Sequence, residues 1–142
     1  YSSAASDVYK RQIVYSHNNI KLTVHDLQTG LLNNYKLMIG PDVLQSNYAI
    51  ARTTYFNNDS NKLLISLVKD PGRYCSTILF ELDSGNQYLV KNNNGDDVYK
   101  CFIDSDQHIL YYSVMVGTGH ESRQIRSTEH YTLEPINAFI KI

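Results

Sequence analysis

The sequence predicts an all-β fold, and three observations support this prediction. Short runs rich in β-branched residues and tyrosine recur along the chain, clusters of Gly, Asn and Asp separate them, and the period of amphipathic helices is nearly absent. Tyrosine accounts for 12 of the 142 residues and suits the half-buried surface of a pleated sheet. Because Asn bonds its own backbone and tolerates positive φ, its clusters indicate turns.

The N-terminal residues form a segment of their own. Residues 2–12, SSAASDVYKRQ, resemble at every position the in-frame translation of a transposase sequencing adapter. We therefore expect residues 1–12 to be a non-native, adapter-derived segment and leave them out of the fold prediction. We also expect the native N-terminus to be missing, so the sequence makes no prediction of localisation.

Charge excludes some classes of partner. Leaving out Asp7, Lys10 and Arg11 reduces the 13 basic and 14 acidic residues to 11 and 13, a net charge of −2. No basic stripe is present, so we expect no nucleic-acid partner. No apolar run approaches the length of a membrane-spanning helix, so we expect no membrane span.

The remaining pattern predicts three successive groups of strands. The first group has strands at 13–16, 20–27 and 31–39. The second follows a connecting loop and has strands at 48–56, 62–69, 73–82 and 87–91. The third follows another loop and has strands at 98–103, 108–116, 124–133 and 138–142. Turn signals rich in Gly, Asp, Asn and Pro separate the strands, including those at 26–30, 70–72, 83–85 and 134–137.

The groups of strands are similar to one another. The run 56–66 aligns with 102–112 at an offset of 46 residues, so we expect Phe56 and Phe102 to take equivalent places in their sheets. The first group lacks the opening strand, but its residues 13–16 (IVYS) align with 63–66 (LLIS). A recurring unit of four strands in roughly 45 residues is typical of a propeller blade.

We therefore predict a partial β-propeller of about three four-stranded antiparallel blades. These blades are expected at about 13–39, 48–91 and 98–142. Three blades leave sheet faces and edges open, and we expect these to self-associate. The alternative fold is a complete β-sandwich, which gives no reason for the 46-residue offset.

A turn motif carries a resemblance to known repeats. The D-L-x-T-G step at 26–30 resembles the turn common in WD-repeat-like and TolB-like propellers. The resemblance extends over residues 13–142 at the level of the superfamily. It implies a propeller scaffold that binds a ligand or a protein.

One face of the predicted propeller carries the longer loops. In a four-stranded meander, the connections between blades and between the second and third strands lie on that face, and loops carry function more often than strands do. We expect a ligand to bind there. The possible binding residues are Asp70, Arg73, Asn94, Asp96, His120 and Glu121.

Three loops contain residues that bind metals or phosphate in other proteins. The loop at 117–121 (GTGHE) contains G-x-G, but no helix follows it to present an anion site, so we expect a hairpin loop. The oxygen-rich loops at 92–97 and 104–106 lack the EF-hand spacing, so we expect Asx-turns there. The sequence therefore predicts no metal site and no cofactor.

Two functions remain open. The first is a scaffold that binds a protein, peptide or glycan ligand. The alternative is the propeller domain of a prolyl-oligopeptidase-like hydrolase, or a propeller enzyme whose catalytic residues lie outside this stretch. The sequence has no G-x-S-x-G nucleophile motif and predicts no catalytic residue. A downstream α/β domain carrying that motif in the full-length gene would favour the enzyme.

Overall fold

A computed structural model describes residues 12–17, 20–38, 48–56, 59–69, 73–104, 109–115, 122–127 and 131–142. These residues form strands and turns without a helix, which confirms the all-β prediction. The strands are β1 (Gln12–His17), β2 (Lys21–Asp26), β3 (Leu32–Leu37), β4 (Tyr48–Phe56), β5 (Asp59–Lys69), β6 (Arg73–Glu81), β7 (Gln87–Lys91), β8 (Tyr99–Asp104), β9 (Ile109–Met115), β10 (Ser122–Ser127), β11 (Thr132–Ile136) and β12 (Phe139–Lys141). Residues 1–11 lie outside the description, and their adapter origin stays a prediction.

The strands form three antiparallel sheets. Sheet 1 has the order β1-β2-β3-β12, sheet 2 has the order β11-β7-β6-β5-β4, and sheet 3 has the order β10-β9-β8. Strands that follow one another in the chain form the hairpins within each sheet. Strands β11 and β12 are different, because each pairs with the edge of a sheet formed much earlier in the chain.

Sheets 1 and 2 share a hydrophobic core. From sheet 1 it takes Leu22, Val24, Tyr35, Leu37 and Phe139, and from sheet 2 it takes Ile50, Leu63, Ile65, Leu67, Ile78 and Phe80. Along each strand these residues alternate with residues on the opposite side, as the two-residue period of a strand requires. We call this side of sheet 2 its near face.

The opposite side of sheet 2, its far face, is also buried. Leu64, Leu79 and Val90 are at most 4% exposed there, and Thr77 is fully buried between them. Strand β8 of sheet 3 lies against β5 and β6. Both faces of sheet 2 are therefore buried: sheet 1 lies on its near face, and β8 lies close to its strands β5 and β6.

The C-terminal strands differ from the sequence prediction. The sequence predicts one strand over 124–133 and a turn at 134–137, whereas the structure has β10 ending at Ser127 and β11 running through Pro135 to Ile136. The free edge of β7 accepts β11, and this pairing overrides the turn preference of the proline. Proline is tolerated because β11 is the outermost strand of sheet 2.

The expected equivalence of Phe56 and Phe102 is wrong. Phe56 ends β4 and pairs with Asp59, whereas Phe102 lies within β8 and pairs with Tyr111. The β4–β5 pairing also contains a bulge between Tyr55 and Phe56. Phe56 is the last residue of its strand, whereas Phe102 lies two residues before the end of β8, so the 46-residue offset does not carry over to the strand register.

Candidate functional site

The predicted binding residues fall into two groups. Asp70, His120 and Glu121 lie outside the described residues, and for Arg73 only the backbone, at the start of β6, is described. Asn94 and Asp96 are described, and both are exposed in the loop between β7 and β8. The placement of a ligand on this face stays a prediction.

The loop around Asn94 and Asp96 is organised by Asn92. The Asn92 side chain is 4% exposed, and its Oδ1 accepts hydrogen bonds from the backbone N–H of Asn94 at 3.0 Å and of Asp96 at 2.9 Å. Its Nδ2 donates to Oδ2 of Asp96 at 3.4 Å. Gly95 completes the turn at a φ of 81°, which a residue with a Cβ adopts only with strain. The Asx-turn prediction for this loop is confirmed.

Charges at the foot of this loop are paired with one another. Lys91 Nζ lies 3.4 Å from Oδ1 of Asp97 and 3.3 Å from Oε2 of Glu134 on β11. Desolvation works against the charge of Lys91, but the hydrogen bonds and charges of Glu134 and Asp97 outweigh it and raise the lysine's pKa. The other oxygen of Asp97 accepts a hydrogen bond from Ser76 at 3.5 Å.

These contacts give the loop a structural role. One oxygen of Asp96 and both oxygens of Asp97 have protein partners, and these contacts hold the loop. Across the described ranges, no group of three or more His, Cys, Asp and Glu side chains is placed to hold a metal ion.

A second feature is a cleft at the seam between sheets 1 and 2, next to the edge strand β12 of sheet 1. Its volume is about 390 Å³. The turn between β6 and β7 forms one wall, and residues 137–141 form the other. The lining residues are Tyr35, Asp83, Ser84, Gly85, Gln87, Asn137, Phe139, Ile140 and Lys141.

Gln87 forms a rigid and fully bonded part of this cleft. Its side chain is buried, Nε2 donates to the carbonyl of Phe139 at 2.7 Å, and Oε1 accepts from the N–H groups of Ala138 at 3.0 Å and Phe139 at 2.8 Å. One side chain thus satisfies three backbone groups between β11 and β12. These groups would otherwise be buried without partners, which is costly.

The rim of the cleft is charged and polar. Asp83 and Lys141 are exposed, and Asp83 is held by its backbone N–H, which donates to Oδ1 of Asn61 at 2.9 Å. The Tyr35 ring lies deeper, and burial raises the pKa of its hydroxyl. The cleft therefore offers a carboxylate, an ammonium group and an aromatic ring to a polar ligand. This arrangement suits non-covalent binding.

Sequence reasoning missed the cleft. Gln87 and Phe139 are 52 residues apart, and neither belongs to a recognisable motif. The sequence predicts the turn at 83–85, but the face on which we expect a ligand is that of the longer loops, which does not include this turn. The one available signal was a glutamine at an inward position of an otherwise apolar strand, because a buried amide needs specific partners.

Comparisons with known proteins bring no match. No family model, curated protein or solved structure is detectably similar to this chain. Within the described part of the chain, no helix has the length and apolar character needed to cross a membrane.

Proposed function

We propose that the three sheets are blades of a β-propeller and that the propeller is a binding scaffold for a protein, peptide or glycan. The observation that carries this proposal is the burial of sheet 2 on both faces. Ile78 on the near face and Leu79 on the far face are 0% and 3% exposed. A two-layer β-sandwich buries one face of each sheet, whereas each blade of a propeller packs between two neighbours.

The similarity of a hairpin in sheet 1 to a hairpin in sheet 2 supports the same proposal. The turns at 26–30 and 81–85 share a hydrogen bond of 2.8 Å from the glycine N–H to the first carbonyl, and both glycines have positive φ, 72° and 75°. Their flanking strands share the same register, because Val14 pairs with Val24 as Leu64 pairs with Leu79. Sheet 1 therefore has a hairpin equivalent to that of sheet 2.

Equivalent residues of the two hairpins point in the same direction along the stack. Val24 in sheet 1 faces sheet 2, and its equivalent Leu79 in sheet 2 lies on the far face, toward sheet 3. In each of these two sheets, the face that carries Val24 or its equivalent Leu79 is therefore turned the same way along the stack. This head-to-tail order is the order that repeated blades need, and it agrees with the WD-repeat-like and TolB-like turn motif.

The binding role is supported by the cleft at the seam of sheets 1 and 2. Ligand sites are concave and contain a few polar groups in fixed positions. The cleft has such groups in Asp83, Lys141 and Tyr35, and the bonded Gln87 fixes its floor. We assign the ligand to this cleft in preference to the loop of Asn94 and Asp96, where both backbone N–H groups and one oxygen of Asp96 already bond Asn92.

Printed arrays of defined oligosaccharides and of twelve-residue peptides test this function. We expect the labelled full chain to bind a subset of one array, and we expect Asp83→Ala combined with Lys141→Ala to reduce that binding by about tenfold, a loss of about 1.4 kcal/mol. The matched control is Asn94→Ala combined with Asp96→Ala, which should leave it unchanged. Absence of binding on both arrays, or binding that the cleft variants do not reduce, would contradict the proposal.

A further inference from the structure

We propose that the seam between sheets 1 and 2 is an acceptor groove for an extended strand, and that the C-terminal segment of a second copy of this chain binds there in exchange for the chain's own. We define the C-terminal segment as residues 131–142, which contain β11 and β12. The proposal does not depend on the sheets being propeller blades, since it rests on the contacts of this segment alone.

The segment is held mainly through its backbone. Thr132 to Ile136 pair with β7, and Phe139 to Lys141 pair with β3. Two further backbone bonds frame β12: Met38 N–H donates to the carbonyl of Ala138 at 2.7 Å, and Ile142 N–H donates to the carbonyl of Asn34 at 2.9 Å. Adding a strand to open sheet edges is a recurrent mode of peptide recognition.

The groove recognises the segment at its centre through Gln87. The primary amide of Gln87 makes three hydrogen bonds to the backbone of Ala138 and Phe139, at 2.7 to 3.0 Å. An amide side chain that pairs with a peptide group imitates a neighbouring strand where the segment passes from sheet 2 to sheet 1. The contact requires an extended backbone at this point.

Two side chains of the segment enter the protein, and most of the others stay outside. Ala138 and Phe139 are each 1% exposed, and the Phe139 ring packs edge-to-face on Phe80 at 6.1 Å between centroids. By contrast, the side chains of Thr132 through Pro135 are all exposed. A large buried anchor such as Phe139, with backbone bonding on both sides, is typical of a bound peptide ligand.

A charge contact sets the register of the segment. Glu134 Oε2 lies 3.3 Å from Nζ of Lys91, and the backbone of Leu133 next to it is paired with Val90. A shift by one residue would move Glu134 to the other side of the strand and would lift Phe139 away from Phe80. The ion pair therefore favours the register in which Phe139, five residues after Glu134, enters the core.

A second copy is the occupant because every copy carries both the groove and the segment. The segment makes no hairpin with its sequence neighbours: β10 belongs to sheet 3, β11 pairs with β7, and β12 pairs with β3. Exchange of the segment therefore leaves the hairpins β1–β2–β3 and β4–β5–β6–β7 intact. Exchange of an identical element between copies is a low-cost route to association.

The test uses a fluorescent synthetic peptide of residues 131–142 and the full chain, with fluorescence anisotropy as the readout. We expect saturable binding to the wild-type chain, and tighter binding to the Phe139→Ala chain, whose own segment has lost its anchor. We expect a peptide carrying Phe139→Ala to bind at least about tenfold more weakly. A peptide carrying Thr132→Ala is the matched control, because Thr132 is exposed and lies outside the cleft, and it should bind like the unaltered peptide.

The acceptor side is tested with the Gln87→Ala chain, which should bind the peptide at least about tenfold more weakly than wild type. Asn94→Ala in the protein is the control and should have no effect. If the Phe139→Ala or Gln87→Ala chain does not fold, as judged by circular dichroism, binding of the altered peptides to the wild-type chain decides the question. No saturable binding to the wild-type chain, or equal binding of the Phe139→Ala peptide, would overturn the proposal.

Discussion

Sheets 1 and 2 contain the same hairpin in two different surroundings. The turns at 26–30 and 81–85 have the same backbone bonds, and both use a hydroxyl to hold the residue after the glycine: Thr29 Oγ1 accepts from Leu31, and Ser84 Oγ from Asn86, each at 3.2 Å. The leucine side chains of the two turns differ in how much of their surface is exposed. Leu27 of the first turn is 48% exposed, and its equivalent Leu82 is 8% exposed.

The difference is larger on the strands. Sheet 2 places Ile78 and Phe80 on its near face, where sheet 1 covers them. The equivalent positions of sheet 1 are Thr23 and His25, and Thr23 donates a hydrogen bond to Oδ1 of Asn34 at 2.8 Å. Local turn chemistry therefore determines the hairpin, whereas equivalent strand positions differ in polarity even where both are buried, as Thr23 and Ile78 are.

The largest expected effect comes from removing Phe80, whose equivalent in sheet 1 is His25. Phe80 packs edge-to-face on Tyr35 at 5.0 Å and on Phe139 at 6.1 Å. We expect Phe80→Ala to lower the free energy of unfolding by about 3–5 kcal/mol. His25→Ala should change it by less than about 0.5 kcal/mol. Urea denaturation followed by circular dichroism measures both, and similar losses would show that the two sheets are covered alike.

Of the two turn leucines, the one in sheet 2 is also expected to contribute more to the free energy of unfolding. Leu82→Ala removes a side chain from the core between sheets 1 and 2 and should cost about 2 kcal/mol. Leu27→Ala, at the equivalent but exposed position, should change the free energy of unfolding by no more than about 0.5 kcal/mol. Thermal unfolding of the two variants is a direct check. A cost at Leu27 as large as that at Leu82 would show that the first turn is covered in solution.

The two turn glycines should behave alike, because their constraint is local. No heavy atom lies within 4 Å of the position that a Cβ would take at either glycine, so only the positive φ opposes substitution. We expect Gly30→Ala and Gly85→Ala each to cost about 1 kcal/mol. Denaturant titration of the pair measures this. Costs that differ by more than the error would mean that the turns are not equivalent.

The smallest expected effect concerns Lys91, whose equivalent in sheet 1 is the exposed Lys36. Since the pKa of Lys91 is raised in the folded chain, its contribution is fully present below the unfolded pKa near 10.5 and is lost as the pH rises through the folded value. We expect Lys91→Met to cost about 0.5 kcal/mol at pH 8, since both carboxylate partners are largely exposed. The difference from wild type should disappear by about pH 12. Lys36→Met is the control, with a smaller cost at pH 8.

Much of the local structure was predictable from the sequence. The turns at 26–30 and 83–85 and the Asx-turn at Asn92 depend on Gly, Asp and Asn and on neighbours within five residues. The alignment of 13–16 with 63–66 also agrees with the strand registers. These features need only short-range hydrogen bonds, which a pattern of residue types indicates directly.

The long-range pairings were not predictable in the same way. Nothing near Thr132 or Phe139 in sequence indicates that these strands join β7 and β3, because an edge accepts a strand through backbone groups common to all residues. Gln87 was missed for the same reason, since its partners lie more than 50 residues away. The predicted equivalence of Phe56 and Phe102 is wrong because an alignment of residue types does not report the bulge in β4.

The burial of sheet 2 on both faces underlies the whole arrangement, and a pair of neighbouring substitutions tests it. Ile78 points to sheet 1 and Leu79 points to the opposite face. We expect Ile78→Ala and Leu79→Ala each to lower the free energy of unfolding by about 2–4 kcal/mol in urea denaturation. Leu133→Ala, on the exposed edge strand β11, should stay within about 0.5 kcal/mol of wild type. A large loss for Ile78→Ala with a loss for Leu79→Ala no greater than that of the control would contradict the burial of both faces and favour a two-layer sandwich.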